Sequence, residues 1–173
     1  MKPTVKQPLF VISGASGIGK TSLCNVLFQN ETDYIVLDAD ILWNKKVYDT
    51  PGDGYQAFRK MCMRLCAGIS QIGKPVVLCG CATPEQFEPL QERELFTKIH
   101  YLAVVSDDAV LEDRLRNGRK ISDEGHITTH IKFNNRLREN GAAHDIFLLD
   151  NSNLTVSEGA EIADEWILTN LHK

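Results

Sequence analysis

No stretch of this chain approaches the roughly 20 consecutive apolar residues that a membrane-spanning helix requires, so no membrane partner is expected. Basic residues are not in excess. Lys and Arg total 19 against 23 Asp and Glu, a net charge of −4. Nothing in the bulk charge therefore recruits nucleic acid, and any polyanion must be met by a local basic site. Met1 to Pro8 is polar and lacks the apolar stretch of a signal peptide, which gives a cytoplasmic location as the expectation. No internal repeat or low-complexity segment is visible. Cysteine is sparse and odd in number. There are five, and Cys79 and Cys81 lie in an apolar, strand-like run, a pattern that argues against a disulfide framework. Buried, reduced thiols are the expectation, because cysteine is among the most buried residue types. A metal site from Cys62, Cys66, Cys79 and Cys81 is the alternative. His126 and His130 lie four apart, but a metal pair needs further ligands and a rigid frame, so neither is assigned as a ligand.

What the sequence does contain is the material for one domain. Its 173 residues are 43% apolar and 24% charged, the balance of a globular protein with a single core. Short apolar runs alternate with helical patterns. Leu9 to Ser13 reads as a buried strand, followed by a Gly-rich turn and a helix from about Lys20 to Gln29. Tyr34 to Leu37 is a second strand. Apolar residues then recur at Tyr55, Phe58, Cys62, Leu65, Ile69 and Ile72, the spacing of an amphipathic helix, which Gly73 stops. Pro75 leads into a third strand, Val76 to Cys79. Thr83, Pro84 and Gln86 make a capping box for a short helix. His100 to Val105 is a fourth strand, and Asp107 and Asp108 open the helix that carries Leu111 and Leu115. Asn117 to Thr129 is polar and reads as a loop or flap. Ile131 to Asn140 reads as helix, Ile146 to Leu149 as a fifth strand, and Thr155 and Glu158 as the capping box of a last helix. Strands separated by helices imply right-handed crossovers and a parallel sheet covered on both faces. The expectation is a single three-layer α/β/α domain over residues 1–173, with about five parallel strands and a lid at 115–130.

The first turn carries the most specific signal. Gly14-Ala15-Ser16-Gly17-Ile18-Gly19-Lys20-Thr21 matches G-x-x-x-x-G-K-[ST] throughout. Glycines let the backbone fold around phosphates and aim its N–H groups inward, and the helix that follows adds its partial positive charge. Lys20 is placed for the β- and γ-phosphates and the Thr21 hydroxyl for Mg2+. The motif lies between the first strand and the first helix, as its chemistry requires. Gly14 to Ser22 is therefore the expected ATP-binding segment. No D-x-x-G or N-K-x-D of a GTPase is present, and the third strand ends in Gly80-Cys81 instead of the acid that many ATPases use for magnesium.

A second constellation ends the second strand: Leu37-Asp38-Ala39-Asp40. Two carboxylates at a carboxyl strand end sit where open α/β sheets place their sites. If this strand lies near the first, one acid, Asp38, is positioned to hold magnesium with Thr21. The other, Asp40, is positioned to accept the proton of an attacking hydroxyl. The competing reading is a helix cap for Ile41-Leu42. Together, the phosphate loop, the D-A-D segment and an Arg-bearing segment after strand four resemble the nucleoside and nucleotide kinase-like group of P-loop proteins. That group includes shikimate, gluconate and adenylate kinases and chloramphenicol phosphotransferase. The D-x-D is most similar to the shikimate and gluconate type. Gly73 to Gly80, Pro84 to Phe87 and His100 to Leu102 resemble uncharacterised bacterial proteins described as ATP-binding or as nucleoside kinases. The resemblance implies a P-loop NTPase fold, ATP and Mg2+ as cofactors, a small-molecule acceptor, and lid arginines that act on the transferred phosphoryl.

Arg114, Arg116, Arg119 and Lys120 cluster where that lid would lie, with Arg114 and Arg119 the expected catalytic cations beside Lys20 and Asp40. Arg136 and Arg138 are expected to be structural. Arg59, Lys60 and Arg64 lie on the polar face of the long helix and, with Arg93, are candidates for acceptor binding. Asp38, Asp40, Arg59, Arg64 and Arg93 form the expected substrate set. Trp43, Tyr48 and Tyr55 bracket Thr50 to Gly54, where aromatics either stack on a base or pack in the core. The function read from the sequence is an ATP-dependent kinase for a hydroxyl acceptor such as a nucleoside or sugar-like compound. A nucleoside monophosphate kinase is the near alternative. An ATP-binding regulatory module with slow hydrolysis is the distant one.

Overall fold

The computed structural model describes residues 5–30, 33–48, 53–80 and 82–171. Cys81, Thr50 to Gly52 and the side chain of Tyr48 lie outside the described residues. Five strands form one parallel sheet: β1 (Leu9–Ser13), β2 (Ile35–Asp38), β3 (Val76–Cys79), β4 (Ile99–Val105) and β5 (Ile146–Asp150), in the order β2-β3-β1-β4-β5. The helices are α1 (Lys20–Asn30), α2 (Lys45–Tyr48), α3 (Gln56–Ile69), α4 (Pro84–Phe87), α5 (Asp108–Asp113), α6 (Glu124–Asn140) and α7 (Val156–Asn170). α5 runs on as a π-helical turn, Arg114–Gly118.

Both faces of the sheet are covered, because the strands are apolar on both sides. Phe10, Ile12, Val77, Cys79, Leu102 and Val104 pack with Leu23, Leu27, Ala163 and Ile167 of α1 and α7. Leu9, Val11, Val76 and Leu78 face the other way, onto Cys62, Met63 and Cys66 of α3 and onto Phe87. Alternate residues of one strand thus feed two cores, as the period of two dictates. The three-layer α/β/α fold expected from the sequence is the one observed.

Three readings are refined or corrected. First, the second strand lies near the first but not next to it, with β3 between them. Second, α6 begins at Glu124 instead of Ile131, so the polar stretch is a loop only between Arg119 and Asp123. The Asp123 side chain accepts from the N–H groups of Gly125 and His126 and starts the helix before any apolar periodicity appears. Third, the thiols are not all reduced. Cys24 of α1 and Cys79 of β3 are joined by a disulfide across 55 residues, whereas Cys62 and Cys66 are buried and free. An odd count of five still leaves room for up to two pairs, and partners on different elements have no spacing signature. Burial pushes the Cys62 thiol up to about 11 and raises that of Cys66 as well, so both stay protonated and unreactive. Among the described residues no group of three or more His, Cys, Asp or Glu side chains could hold a metal ion.

Candidate active site

The phosphate loop occupies the carboxyl end of β1. Gly14, Gly17 and Gly19 all have positive φ, at 150°, 78° and 108°. A Cβ on Gly14 would meet the Val104 carbonyl oxygen at 2.7 Å, which is backbone and cannot yield. Glycine is therefore required there on two counts, conformation and close approach. Lys20 is buried, and its ammonium donates to the carbonyls of Gly14 at 2.7 Å and Ala15 at 2.9 Å. The cation is thus parked across its own loop, held within reach of the space that the loop encloses.

That space is a cavity of about 330 Å³ lined by Ser16, Gly17, Gly19, Lys20, Thr21, Ser22, Asp40, Arg119 and His130. Its donors and cations converge from separate elements. The guanidinium of Arg119 donates to Ser16 Oγ at 3.2 Å. His130, from α6, accepts the Ser16 N–H at Nδ1, 3.3 Å. Burial, then His126, Lys20 and Arg119 nearby, hold the His130 imidazole below its ordinary value, so it is neutral near pH 7.

Asp40 reaches this cavity although β3 intervenes. Asp38 caps a short 3-10 helix, Ala39–Leu42, by accepting from the Asp40 N–H at 2.9 Å. That helix carries Asp40 across the end of β3, where a Cβ on Gly80 would approach Ala39 Cβ to 3.2 Å. A side chain at the end of β3 would crowd this crossing. The helix-cap reading therefore applies to Asp38, and Asp40 is the carboxylate beside the phosphate loop.

A second cavity, about 420 Å³, adjoins the first. Val11, Ala39, Trp43, Tyr55, Phe58, Cys62, Leu78, Ala82 and Phe87 give it apolar walls, with Asp40, Arg59 and His130 as its charged or polar members. Trp43 meets Tyr55 and Phe58 edge-on, each at 5.1 Å between ring centres. Asp40 and His130 line both cavities.

On the far side of the loop a third cleft, about 320 Å³, is lined by Ile18, Leu23, Arg114, Gly118, Leu154, Thr155 and Val156, among others. Arg114 is engaged here. It donates to the Ile18 carbonyl at 3.2 Å, to Asn151 Oδ1 at 2.9 Å and to the Asn151 carbonyl at 3.1 Å. The Asn151 amide donates to the same Ile18 carbonyl at 2.7 Å. The pair clamps the tip of the phosphate loop.

The structure brings together Gly14 to Ser22, Asp40, Arg119 and, at one remove, Arg114 and Arg59. It does not bring Arg64 or Arg93 to either cavity. Arg64 is paired with Glu92 at 2.6 Å, and Arg93 with Glu88 at 2.9 Å. Both line a separate surface hollow. Arg116 is tied to Glu112 and Glu124, Arg136 to Glu85 and Arg138 to Asp107. Sequence reasoning missed Asn151, which has no motif, and the site position of His130. The spacing of His126 and His130 was visible, but with that stretch read as loop it carried no sign that His130 faces the phosphate loop.

No protein-family model matches the chain, and no curated protein matches it in sequence. Solved structures do match in three dimensions. A gluconokinase from Sinorhizobium meliloti 1021 is 16% identical with a TM-score of 0.63, over 95% of this chain and 98% of that one. A shikimate kinase from Acinetobacter baumannii in complex with shikimate is 14% identical with a TM-score of 0.63, over 98% and 97%. A Deinococcus radiodurans tunicamycin resistance protein is 16% identical with a TM-score of 0.67, over 95% of each chain. Sheet order, phosphate loop and these likenesses agree: the chain is built on the α/β/α fold of the P-loop small-molecule kinases.

Proposed function

We propose that the protein is an ATP-dependent phosphotransferase acting on a hydroxyl group of a small molecule. The observation that carries this reading is the junction of two cavities, one walled by the phosphate loop and one by apolar side chains, at Asp40 and His130. A hydrolase needs only the first. A transferase needs a second compartment that meets the first at a proton acceptor.

In this reading the amides of the loop and Lys20 hold the β- and γ-phosphates, with Lys20 turning from the Gly14 and Ala15 carbonyls to the phosphate oxygens. The nucleoside lies toward Leu23, Leu154 and Val156. The acceptor hydroxyl stands at the junction. Its oxygen forms a bond to the γ-phosphorus as the bond from that phosphorus to the β–γ bridging oxygen breaks. ADP departs with the bonding electrons, and the hydroxyl proton passes to Asp40. Arg119 faces the transferring phosphoryl, whose spread charge its planar donors match. Arg114 serves by fixing the loop. Of the two residues expected to hold Mg2+, Thr21 lines the phosphate cavity, whereas Asp38 caps the 3-10 turn and is not among the residues that line either cavity. The Thr21 hydroxyl would hold the ion, a hard cation that takes oxygen ligands and keeps several waters, and the ion would supply neutralisation of phosphate charge.

The test is ATP turnover with and without acceptors. The kinase reading expects ADP release that rises sharply with one class of alcohol, with the phosphoryl group recovered on that alcohol. Slow hydrolysis indifferent to every acceptor would favour an ATP-binding regulatory module instead.

A further inference from the structure

The second cavity is chemically specific in a way that the phosphate loop is not. We infer that its occupant is an uncharged alcohol bearing an aromatic or heteroaromatic ring, with the ring among Trp43, Tyr55 and Phe58 and the hydroxyl at Asp40. This rests on the phosphotransferase reading for the fate of the hydroxyl, but the ring-binding part stands on the cavity alone.

Charge in this cavity disfavours an acid. An acidic acceptor such as a sugar acid or a nucleoside monophosphate has to be met by cations, because an unpaired anion taken out of water is costly. Among the described residues lining this cavity, Arg59 is the one permanent cation, and its guanidinium donates to the Gly54 carbonyl on its own helix start. Arg64 and Arg93 are paired with Glu92 and Glu88 outside it, and Lys60 of the same helix lines a separate surface hollow. His130 is held neutral by its burial and by Lys20 and Arg119. Asp40 adds a negative charge at the mouth. An anion placed here would face one engaged cation and one like charge.

The cavity surface is mostly apolar. Nine of the thirteen lining residues are apolar or aromatic side chains. A polyhydroxylated sugar would leave most of its hydroxyls against them without partners, which costs about 1–3 kcal/mol for each unsatisfied group. A ring fits that wall. Trp43 and Tyr55 are 38% and 45% exposed, so each has apolar surface left to bury. Their edge-on arrangement with Phe58 presents ring faces and edges at right angles, the geometry that aromatic partners prefer. A cavity of about 420 Å³ admits a compound of one or two rings, at the small end of ligand sites, roughly 300–1,000 Å³. The depth is closed by Cys62, Leu78 and Phe87, which offer no hydrogen bond of consequence. Polar atoms of the ligand are thereby directed outward, to Asp40 and His130, where the phosphate cavity begins.

The experiment compares thymidine, uridine and phenylpropanediol with gluconate, shikimate and thymidine monophosphate. Binding is read by ligand-observed NMR in the presence of a non-hydrolysable ATP analogue, and transfer by acceptor-dependent ADP release with ATP. The ring-bearing alcohols are expected to bind saturably, and the acids and the monophosphate to bind at least tenfold more weakly. Trp43→Leu and Phe58→Leu, each keeping an apolar side chain, are expected to weaken the ring-bearing ligands about tenfold or more. Tighter binding of an acid or the monophosphate than of every ring-bearing alcohol would overturn the inference. So would ring-bearing affinity unchanged in both variants. A ring-bearing alcohol that binds beside bound nucleotide yet receives no phosphoryl would uphold the occupant and overturn the phosphotransferase reading. Transfer to a ringless alcohol, with no binding of the ring-bearing ones, would do the reverse.

Discussion

His130 shows how one side chain can belong to two compartments. Its Nδ1 takes the Ser16 amide, one of the donors that a phosphate oxygen would use, and its ring borders the apolar cavity. The groups that face it are His126 on its own helix, Lys20, Arg119 and, across the junction, Asp40. The first three, with burial, lower its affinity for a proton, so the folded protein protonates it less readily than the unfolded chain does. As pH falls below about 6.5, the unfolded imidazole takes up its proton first. The stability associated with neutral His130 is thus complete above that pH and is lost as pH falls through the lowered value in the folded state. His130→Gln should therefore flatten the dependence of the urea midpoint on pH between about 7 and 5. An unchanged slope would contradict this placement of the imidazole. At the same scale, the D-A-D pair was legible in the sequence, but its division of labour was not. Asp38 and Asp40 are both acids at a strand end, and only the 3-10 turn decides that one caps and the other reaches the phosphate loop. Arg64 and Arg93 misled because the sequence shows a cation but not the carboxylate that neutralises it.

At the scale of elements, what the sequence could show was set by whether the signal was local. The phosphate loop, the capping boxes at Thr83 and Thr155 and the long amphipathic α3 all depend on residues within a few positions of one another, and each lies where its spacing put it. The start of α6 depends on Asp123 alone, with Gly125, Thr128 and Thr129 diluting any periodicity, so a helical turn and more was read as loop. The separation of β2 from β1 by β3 is a crossover decision with no local trace. The link between α1 and β3 is equally non-local. It ties the helix behind the phosphate loop to the strand over which Asp40 crosses, and a cross-link closing a loop of this length, 55 residues, restricts the unfolded chain by about 4 kcal/mol in the entropic treatment. Alkylation in denaturant without reductant, followed by peptide mapping, should label Cys62 and Cys66 and leave Cys24 and Cys79 unlabelled. Label on Cys24 and Cys79 would show that they are reduced in solution.

At the scale of the whole molecule, fold was the most legible property, because alternation of apolar runs with helical periods permits few arrangements and the phosphate loop selects among them. The acceptor was the least legible. Its cavity is assembled from β1, β3, α3, α4, α6 and the 3-10 turn, and no single segment announces it. Nucleotide binding should be felt globally, since the loop touches Val104 of β4, Leu115 of the π-helical turn and, through Asn151, the end of β5. If the proposed nucleotide site is right, ATP with magnesium at about a hundred times its Kd should stabilise the folded state by about 2.7 kcal/mol, which for a chain of this size should raise Tm by about 5–10 °C. In Lys20→Ala that rise should largely vanish, while the Tm without ligand moves far less. A full rise in the variant would remove Lys20 from the phosphates.

The most direct measurement is single-turnover transfer of the γ-phosphoryl group from ATP to an accepted alcohol, in the wild type and in Asp40→Asn. The substitution is nearly isosteric and leaves the phosphate loop untouched, so ATP affinity and Tm should hold. If Asp40 receives the hydroxyl proton where the two cavities meet, transfer should slow by roughly 100-fold or more. Transfer at the wild-type rate would contradict the assignment and turn attention to an acceptor that is already anionic.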